Sequence, residues 1–462
     1  MIGSKLIRLK ESITIIKYLL RWTIIILPIA VTIGSMVALF LTLLNSAIHF
    51  RFKHSWLLYL LPIAGLFVHF IYHSIGKSSE KGNSLITDEI HHEGGGISKR
   101  MTPIIFVTTI ITHLFGGSAG REGTAVQMGG SIASMFGKWF GLTGTDMQMV
   151  LIAGIAAGFG AVFGTPVTGA IFAIEVLTIG IIKYHALIAA FIASLVGHLT
   201  VTAWHVSHIH YHIGPLPQPA SFMADFFHLD ILLLGKIIIS SVAFGLVSYL
   251  FSVMVHQVKN WCQNLFKYKW LIPIFGGLII IGITLLIGRP DYLSLGVDAE
   301  YPGAVTISSA FNAGGAHIWS WLWKSVYTTI TLATGFKGGE VTPLFYIGAT
   351  LGNTLSLLLN APVSLFAALG FIAVFAGATN TPLACTFMGI ELFGGDHVLF
   401  FAIACFTAYV FSGHTSVYNS HRIDEHKIFA DNFVEENPLA EATRRRAYLH
   451  QKFSKYGVFR NR

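Results

Sequence analysis

GSAGREGTAVQMGG (residues 117–130) and GFKGGEVTPLFYIG (residues 335–348) are two glycine-rich interruptions of an otherwise apolar chain, and they read as copies of one another. A constant offset of 218 pairs Gly117 with Gly335, Gly120 with Gly338, Glu122 with Glu340, Thr124 with Thr342 and Gly130 with Gly348. Further on, at an offset of 216, TPVTGAIFAIE (165–175) lies on TPLACTFMGIE (381–391), so that Pro166 matches Pro382 and Glu175 matches Glu391. An internal repeat that carries acidic residues in Gly- and Pro-broken apolar segments points to a transport site built between discontinuous membrane helices. The expected fold class is an all-α polytopic membrane protein of two homologous halves with broken, re-entrant helices.

Composition supports this class. Charged residues are 11% of the 462 and hydrophobic ones 53%, whereas soluble domains carry about 25% charged residues. Apolar stretches near 22–47, 56–72, 184–202, 231–255 and 271–287 are long enough to span a bilayer, which takes roughly 20 residues at a 1.5 Å rise. Between 103 and 182, and again between 304 and 411, the apolar runs are shorter and separated by Gly and Pro. Such runs suit helices that stop partway, whose freed backbone is tolerated only inside protein or beside water.

Basic residues gather at both ends: Lys5, Arg8, Lys10, Lys17 and Arg21 first, then Arg444, Arg445, Arg446, Lys452, Lys455, Arg460 and Arg462. By the positive-inside rule both termini are expected in the cytoplasm, in a cell (inner) membrane. The net charge of +8 then reflects topology and lipid contact. No groove of basic residues interleaved with aromatics is present, so nucleic acid is not an expected partner. No cleavable signal peptide is expected, since the first apolar stretch is interrupted by Lys17 and Arg21 and runs into a long span. The expected organisation is an interfacial amphipathic helix over 1–20, a first membrane repeat over 21–206, a linker and second repeat over 207–420, and a basic cytoplasmic tail over 421–462.

An ionised carboxylate at mid-membrane costs about 2.5–3.5 kcal/mol or more, so Glu122 and Glu340 need partners, water or a bound proton part of the time. A group that alternates between charged and neutral carries protons; a group that only caps backbone N–H groups at a broken helix does not. Glu175 and Glu391 end apolar helices, where solvated ends and helix-to-helix hydrogen bonds are the usual roles. The broken helices would point N-terminal ends, each with about half a positive charge, toward the bilayer centre. That geometry suits an anion.

Other patterns are weaker. Gly116 to Gly120 matches G-x-S-x-G around Ser118, but a serine nucleophile needs a strand-to-helix elbow, and this segment lies among membrane helices. His205, His208, His210 and His212 fall in a polar linker, where a loop is the ordinary reading and a metal site the sharper one. Cys262, Cys385 and Cys405 are isolated and suit inert buried thiols. No metal and no cofactor is expected.

The GREG segment (120–123), the helix AAGFGAVFGTPVTGAIFAIE (156–175), GGEVTP (338–343) and the late Tyr418 in SVYNS resemble, in order, the CLC proteins, the anion channels and anion/proton antiporters. The resemblance covers nearly all of 22–420 and implies two inverted repeats, homodimers with one pathway per subunit, and a gating glutamate, here Glu122. Thr124 stands where the family usually has proline, Asn83 in KGNSLI where it has a serine, and Val176 where its chloride/proton exchangers have a second acid. These departures and GFKGGEVTPLFYIGATLGN (335–353) resemble the fluoride/proton antiporter branch, which exports fluoride. The resemblance implies Glu122, Glu340 and Thr342 as gating and proton-coupling residues, and Asn83, Gly120, Arg121, Gly123, Gly339, Val341 and Tyr418 as anion-binding ones. Deprotonated, Glu122 would occupy the anion path as a tethered competitor; protonated, it would swing aside.

Stripping water from a small ion is of the order of 20 kcal/mol in an idealised low-dielectric medium. One helix end offsets at most about 2 kcal/mol of it. Several donors must converge, and the Asn83 amide, the Tyr418 hydroxyl and the turn from Gly339 to Thr342 supply them. Against this stand an ordinary helix N-cap at Asn83 and an interfacial belt tyrosine at Tyr418. The rival readings are a chloride or nitrate CLC channel or antiporter and, from another class, a membrane enzyme or receptor without transport.

Overall fold

A computed structural model describes residues 2–91, 96–209, 211–215, 230–418, 422–423 and 427. Among them fifteen α-helices carry nearly all the regular structure. The first half runs α1 (Ile2–Lys53), α2 (Leu61–Ser74), α3 (Asn83–His91), α4 (Met101–Leu114), α5 (Glu122–Trp139), α6 (Gly144–Phe163), α7 (Pro166–Glu175) and α8 (Leu187–Ala203). The second runs α9 (Ile231–Leu265), α10 (Leu271–Ile287), α11 (Ser320–Ala333), α12 (Val341–Leu359), α13 (Val363–Thr379), α14 (Pro382–Phe393) and α15 (Val398–Phe411). The run α4–α8 recurs as α11–α15, as the sequence offsets require. A two-residue strand, Thr178–Ile179, pairs in parallel with Arg422–Ile423 and is the exception to an all-helical fold.

Residues 2–20 are the start of α1, whose 52 residues are unbroken, because nothing between Glu11 and Leu27 interrupts a helix and Lys17 and Arg21 are good helix formers. Pro28 lies inside α1 without ending it; the hydroxyl of Thr32 donates to the Pro28 carbonyl at 2.7 Å. The tail over 421–462 lies outside the described residues apart from 422–423 and 427, as do His210 and residues 216–229 of the linker.

Among the described residues six helices are long and apolar enough to cross a membrane, and two of these, α6 and α12, fall where the sequence suggested only short runs. Their internal glycines are contact points, not breaks. A methyl group on Gly154 of α6 would come within 2.6 Å of the Gly129 carbonyl oxygen of α5, and one on Gly370 of α13 within 2.8 Å of the Gly348 carbonyl carbon of α12. Small residues therefore let helix backbones touch, which is how membrane helices associate without a hydrophobic driving force. After α6 and α13 the chain breaks before Pro166 and Pro382, each the first residue of a short helix.

Those two prolines begin the parts that join the halves. Glu391, near the end of α14, accepts hydrogen bonds at the start of α7 from Val167 N (2.9 Å), Thr168 N (2.8 Å) and the Thr168 hydroxyl (2.6 Å). Glu175, at the end of α7, accepts at the start of α14 from Leu383 N (3.0 Å) and Ala384 N (2.8 Å). The offset of 216 maps each cap onto the other. Glu175 and Glu391 thus form helix-to-helix hydrogen bonds: each carboxylate satisfies orphan N–H groups and meets the positive end of the other half's helix. Phe345 of α12 stacks on Phe371 of α13 with ring centres 3.9 Å apart, Phe159 of α6 stacks on Phe172 of α7 at 4.2 Å, and between the halves Phe163 of α6 meets Phe345 at 5.2 Å.

Candidate functional site

The two glycine-rich segments meet each other. Gly120 and Gly339 form an antiparallel bridge, Gly120 N to Gly339 O at 2.6 Å and Gly339 N to Gly120 O at 2.8 Å. The bridge sets the N-terminal ends of α5 and α12 side by side. Glu122 is the first residue of α5 and is fully buried, yet its carboxylate serves the other helix. Oε2 accepts from Thr342 N at 3.1 Å and Oε1 accepts the Thr342 hydroxyl. The negative charge sits on orphan backbone donors at a helix start, the place where a free anion binds most readily.

The glycines make this close approach possible. A Cβ on Gly339 would lie 2.6 Å from Gly123 N and 3.1 Å from Glu122 Oε2. A Cβ on Gly123 would lie 3.0 Å from Gly339 Cα and 3.4 Å from Asn83 Nδ2, so the Asn83 amide reaches this junction. Arg121 is half-buried at the N-cap of α5, and Val341 is buried at the start of α12.

The repeat predicts that Glu340 would bond Thr124 as Glu122 bonds Thr342. It does not. The Thr124 hydroxyl pairs with that of Thr109 at 2.7 Å, and Glu340, half-buried, faces a cavity of about 140 Å³. Asn83, Gln127 and Tyr418 line the same cavity. One glutamate is held and its copy is open to a polar space, so the two differ chemically although the sequence equates them.

Asn83 begins α3. An N-cap asparagine uses its side-chain oxygen, but Asn83 Oδ1 is buried and accepts no hydrogen bond among the described residues, so its amide is not spent on its own helix. Tyr418 is likewise no belt tyrosine. Its segment is tied down where Val417 N donates to Ala378 O at 3.0 Å, Asn380 Nδ2 to Thr415 O at 3.0 Å and His256 Nε2 to Ser416 O at 2.7 Å. Beside it a cavity of about 20 Å³ is lined by Asn83, Phe172, Val176 and Tyr418. Val176 therefore puts an aliphatic wall where a second acid would have been. On the other side of Thr342, a cavity of about 30 Å³ is lined by Arg121, Tyr211, Phe345 and Phe371. Thr342 borders one cavity and Glu340 the other, and the Glu122 carboxylate is bonded to Thr342.

The weaker patterns find structural partners. The hydroxyl of Ser118 lies 3.0 Å from that of Thr328, and its backbone N–H donates to the Thr331 hydroxyl at 3.0 Å, so no base faces it. His208 Nε2 lies 3.0 Å from Ala161 O near the end of α6, while His205 and His212 are exposed. Among the described residues no three His, Cys, Asp or Glu side chains come together as metal ligands. The three cysteines are free and buried.

Sequence reasoning missed Lys337, His256 and Tyr72 on the wall of the larger cavity. For Lys337 a signal was available, since a lysine inside an intramembrane glycine-rich break is a functional candidate by default. For Tyr72 and His256 none was, because they come from α2 and α9, outside both motifs.

Two copies of a broken-helix unit, joined by reciprocal caps and meeting at the Gly120–Gly339 bridge and the Glu122 carboxylate, define a polytopic membrane transport protein. The chain belongs to the voltage gated chloride channel family, whose model matches residues 63–413. It is 43% identical over 423 residues, 91% of this chain and 90% of the relative, to a chloride/fluoride channel protein of Pseudomonas syringae pv. tomato. To the H(+)/Cl(-) exchange transporter ClcA of Vibrio cholerae it is 22% identical over 326 residues, 66% of each chain. Among solved structures it matches a CLC-type fluoride/proton antiporter with a TM-score of 0.81 and 34% identity, covering 88% of this chain and 98% of that one. A slow cyanobacterial Cl-/H+ antiporter shares the fold at a TM-score of 0.70 and 19% identity, with 86% and 96% covered.

Proposed function

We propose that the protein is a fluoride/proton antiporter that exports fluoride from the cytoplasm, with Glu122 as the gate. The observation that carries this reading is the Glu122 carboxylate bonded to the N–H and hydroxyl of Thr342 at the start of α12. These two donors, beside the Gly339 turn, are the kind that must replace water around a fluoride ion. While Glu122 is ionised it fills their seat. Hydrogen bonds to a charged group are worth about 1.5–3 kcal/mol each and roughly twice those between neutral partners. Protonation weakens both at once and frees the seat, so a proton arriving and a fluoride ion arriving exclude the carboxylate in the same way. Coupling in opposite directions follows.

The remaining roles divide by position. Glu340, in the larger cavity, takes protons on toward Thr342 and Glu122, which a chain with Val176 at the end of α7 needs because the second acid is absent. Asn83 and Tyr418, in the same cavity, offer donors to the partly dehydrated anion. Gly120, Gly123, Gly339 and Val341 shape the seat, and Arg121 adds positive charge on its far side. With both basic termini in the cytoplasm, the cavity beside Tyr418 opens inward. Two subunits, each with its own pathway, form the working unit, a state supported by the family to which the chain belongs.

The test is ion efflux from proteoliposomes loaded with fluoride or with chloride, with internal pH recorded. Fluoride efflux with proton uptake and little chloride movement is expected. Comparable chloride movement would replace the fluoride reading with that of a general anion carrier, and fluoride movement without protons would replace the antiporter with a channel.

A further inference from the structure

The linker between α8 and α9 does more than join the halves. Its stretch 211–215 reaches back into the membrane body: Ile213 is buried and Gly214 N donates to the Ser364 hydroxyl of α13 at 3.1 Å. This seats the Tyr211 ring among aromatics of the second half, with ring centres 5.2 Å from Phe311, 5.4 Å from Phe371 and 6.2 Å from Phe393. A tyrosine packed in this way usually finds a partner for its hydroxyl. Among the described residues the Tyr211 hydroxyl makes no hydrogen bond, and it is not sealed off from water.

The space beside it is the cavity of about 30 Å³ next to Thr342, room for about one or two water-sized bodies at roughly 10–15 Å³ each. Phe163, Phe345, Phe371 and Leu392 make most of its wall apolar, and no carboxylate lines it. Its other polar groups are Thr342, whose hydroxyl is held by Glu122, His208, whose Nε2 lies 3.0 Å from Ala161 O, and Arg121. Arg121 Nε is buried and donates to nothing among the described residues. Tyr211 lies in the linker, outside the spanning helices. Burial holds its phenol well above the ordinary range, against the pull of Arg121 and with smaller pushes from Asp298 and Glu122, so it keeps its proton and remains a donor. An anion that leaves the Thr342 seat on this side crosses an apolar space in which the Tyr211 hydroxyl is unspent. We propose that Tyr211 is a further substrate-contacting residue, the donor of the outer passage, whose hydroxyl bonds a small halide between the Thr342 seat and the outer solution. The inference rests on the reading of Thr342 as the anion seat. A small ion loses most when its water is stripped, so a donor in an apolar passage matters most to fluoride.

A donor on one side of the gate acts on the anion that arrives from that side. Right-side-out and inverted membrane vesicles with an acid interior both take up halide in exchange for protons, the first through the outer face and the second through the inner one. Passive entry is subtracted with vesicles that lack the protein. Tyr211→Phe keeps the ring and its aromatic contacts and deletes the hydroxyl. It is expected to raise the outer-face fluoride KM on the order of tenfold, the loss of one hydrogen bond to a charged group. The inner-face KM and the protons moved per fluoride should stay within about twofold of wild type, with the melting temperature unchanged. An unchanged outer-face KM in Y211F would overturn the inference, and so would equal rises on both faces with a lowered melting temperature, which would make Tyr211 a packing residue of the linker. Measuring with both halides separates the two claims. A wild type that carries chloride in preference sinks the fluoride reading alone, and Tyr211 is then judged on the outer-face KM for chloride; a wild type that carries neither removes the path and overturns both.

Discussion

Replacing Glu122 by Gln removes the charge from the proposed gate and leaves its shape. In the native site both carboxylate oxygens accept, one from Thr342 N at 3.1 Å and one from the Thr342 hydroxyl. A glutamine can offer one oxygen, and its NH₂ faces a donor. Two charge-assisted bonds of about 1.5–3 kcal/mol each give way to one neutral bond of about 1 kcal/mol. The side chain's hold on the seat falls by about 2–5 kcal/mol, and its occupancy by a factor of roughly 30 or more. Fluoride then meets a weakened competitor that carries no proton. The expected result is fluoride movement that persists while proton uptake per fluoride drops below about a tenth of the wild-type value, because the exchangeable proton has gone. A fluoride electrode outside the vesicles and a pH dye inside read the two fluxes together. Proton uptake per fluoride equal to wild type in E122Q would refute the mechanism, since the proton would have to travel by groups other than the gate.

Thr342→Val keeps the backbone donor and deletes the hydroxyl, so fluoride loses one donor of about 1.5–3 kcal/mol; the fluoride KM should rise by about ten- to a hundredfold, measured by initial efflux rates over a concentration series. Gly339→Ala places a methyl group 2.6 Å from Gly123 N, so flux should be lost and the melting temperature lowered in a dye-based unfolding scan. Glu391→Gln weakens three hydrogen bonds at the start of α7 far from the gate. It should lower the melting temperature while protons per fluoride stay at the wild-type value, and a changed ratio would give this glutamate a part in coupling.

The repeat made much of this legible. Because Glu122 and Glu340, and Glu175 and Glu391, sit at matched offsets, the sequence located both pairs and anticipated the helix-to-helix role of the second. It could not tell the copies apart. Thr124 and Thr342 are equivalent in sequence, and only the folded chain shows Thr124 bonded to Thr109 and Thr342 to Glu122. The difference arises from parts with no counterpart in the other half, chiefly α3 with Asn83 and the segment ending at Tyr418, which open a cavity in front of Glu340. Glycines mislead in one respect, since Gly348 belongs to a glycine-rich interruption in the sequence and is a helix contact. Lys17 and Arg21 mark a change of composition and no boundary in α1, since charged residues with high helix propensity do not end a helix.

Uphill transport tests the account most directly. Proteoliposomes with equal fluoride inside and out are given a pH gradient, acidic outside, with the membrane potential clamped by valinomycin and potassium. An antiporter gated by Glu122 must use inward proton flow to drive fluoride out against its own rising gradient, and E122Q must fail to do so. Fluoride that stays at equilibrium in the wild type, or is driven equally well by E122Q, would contradict the account.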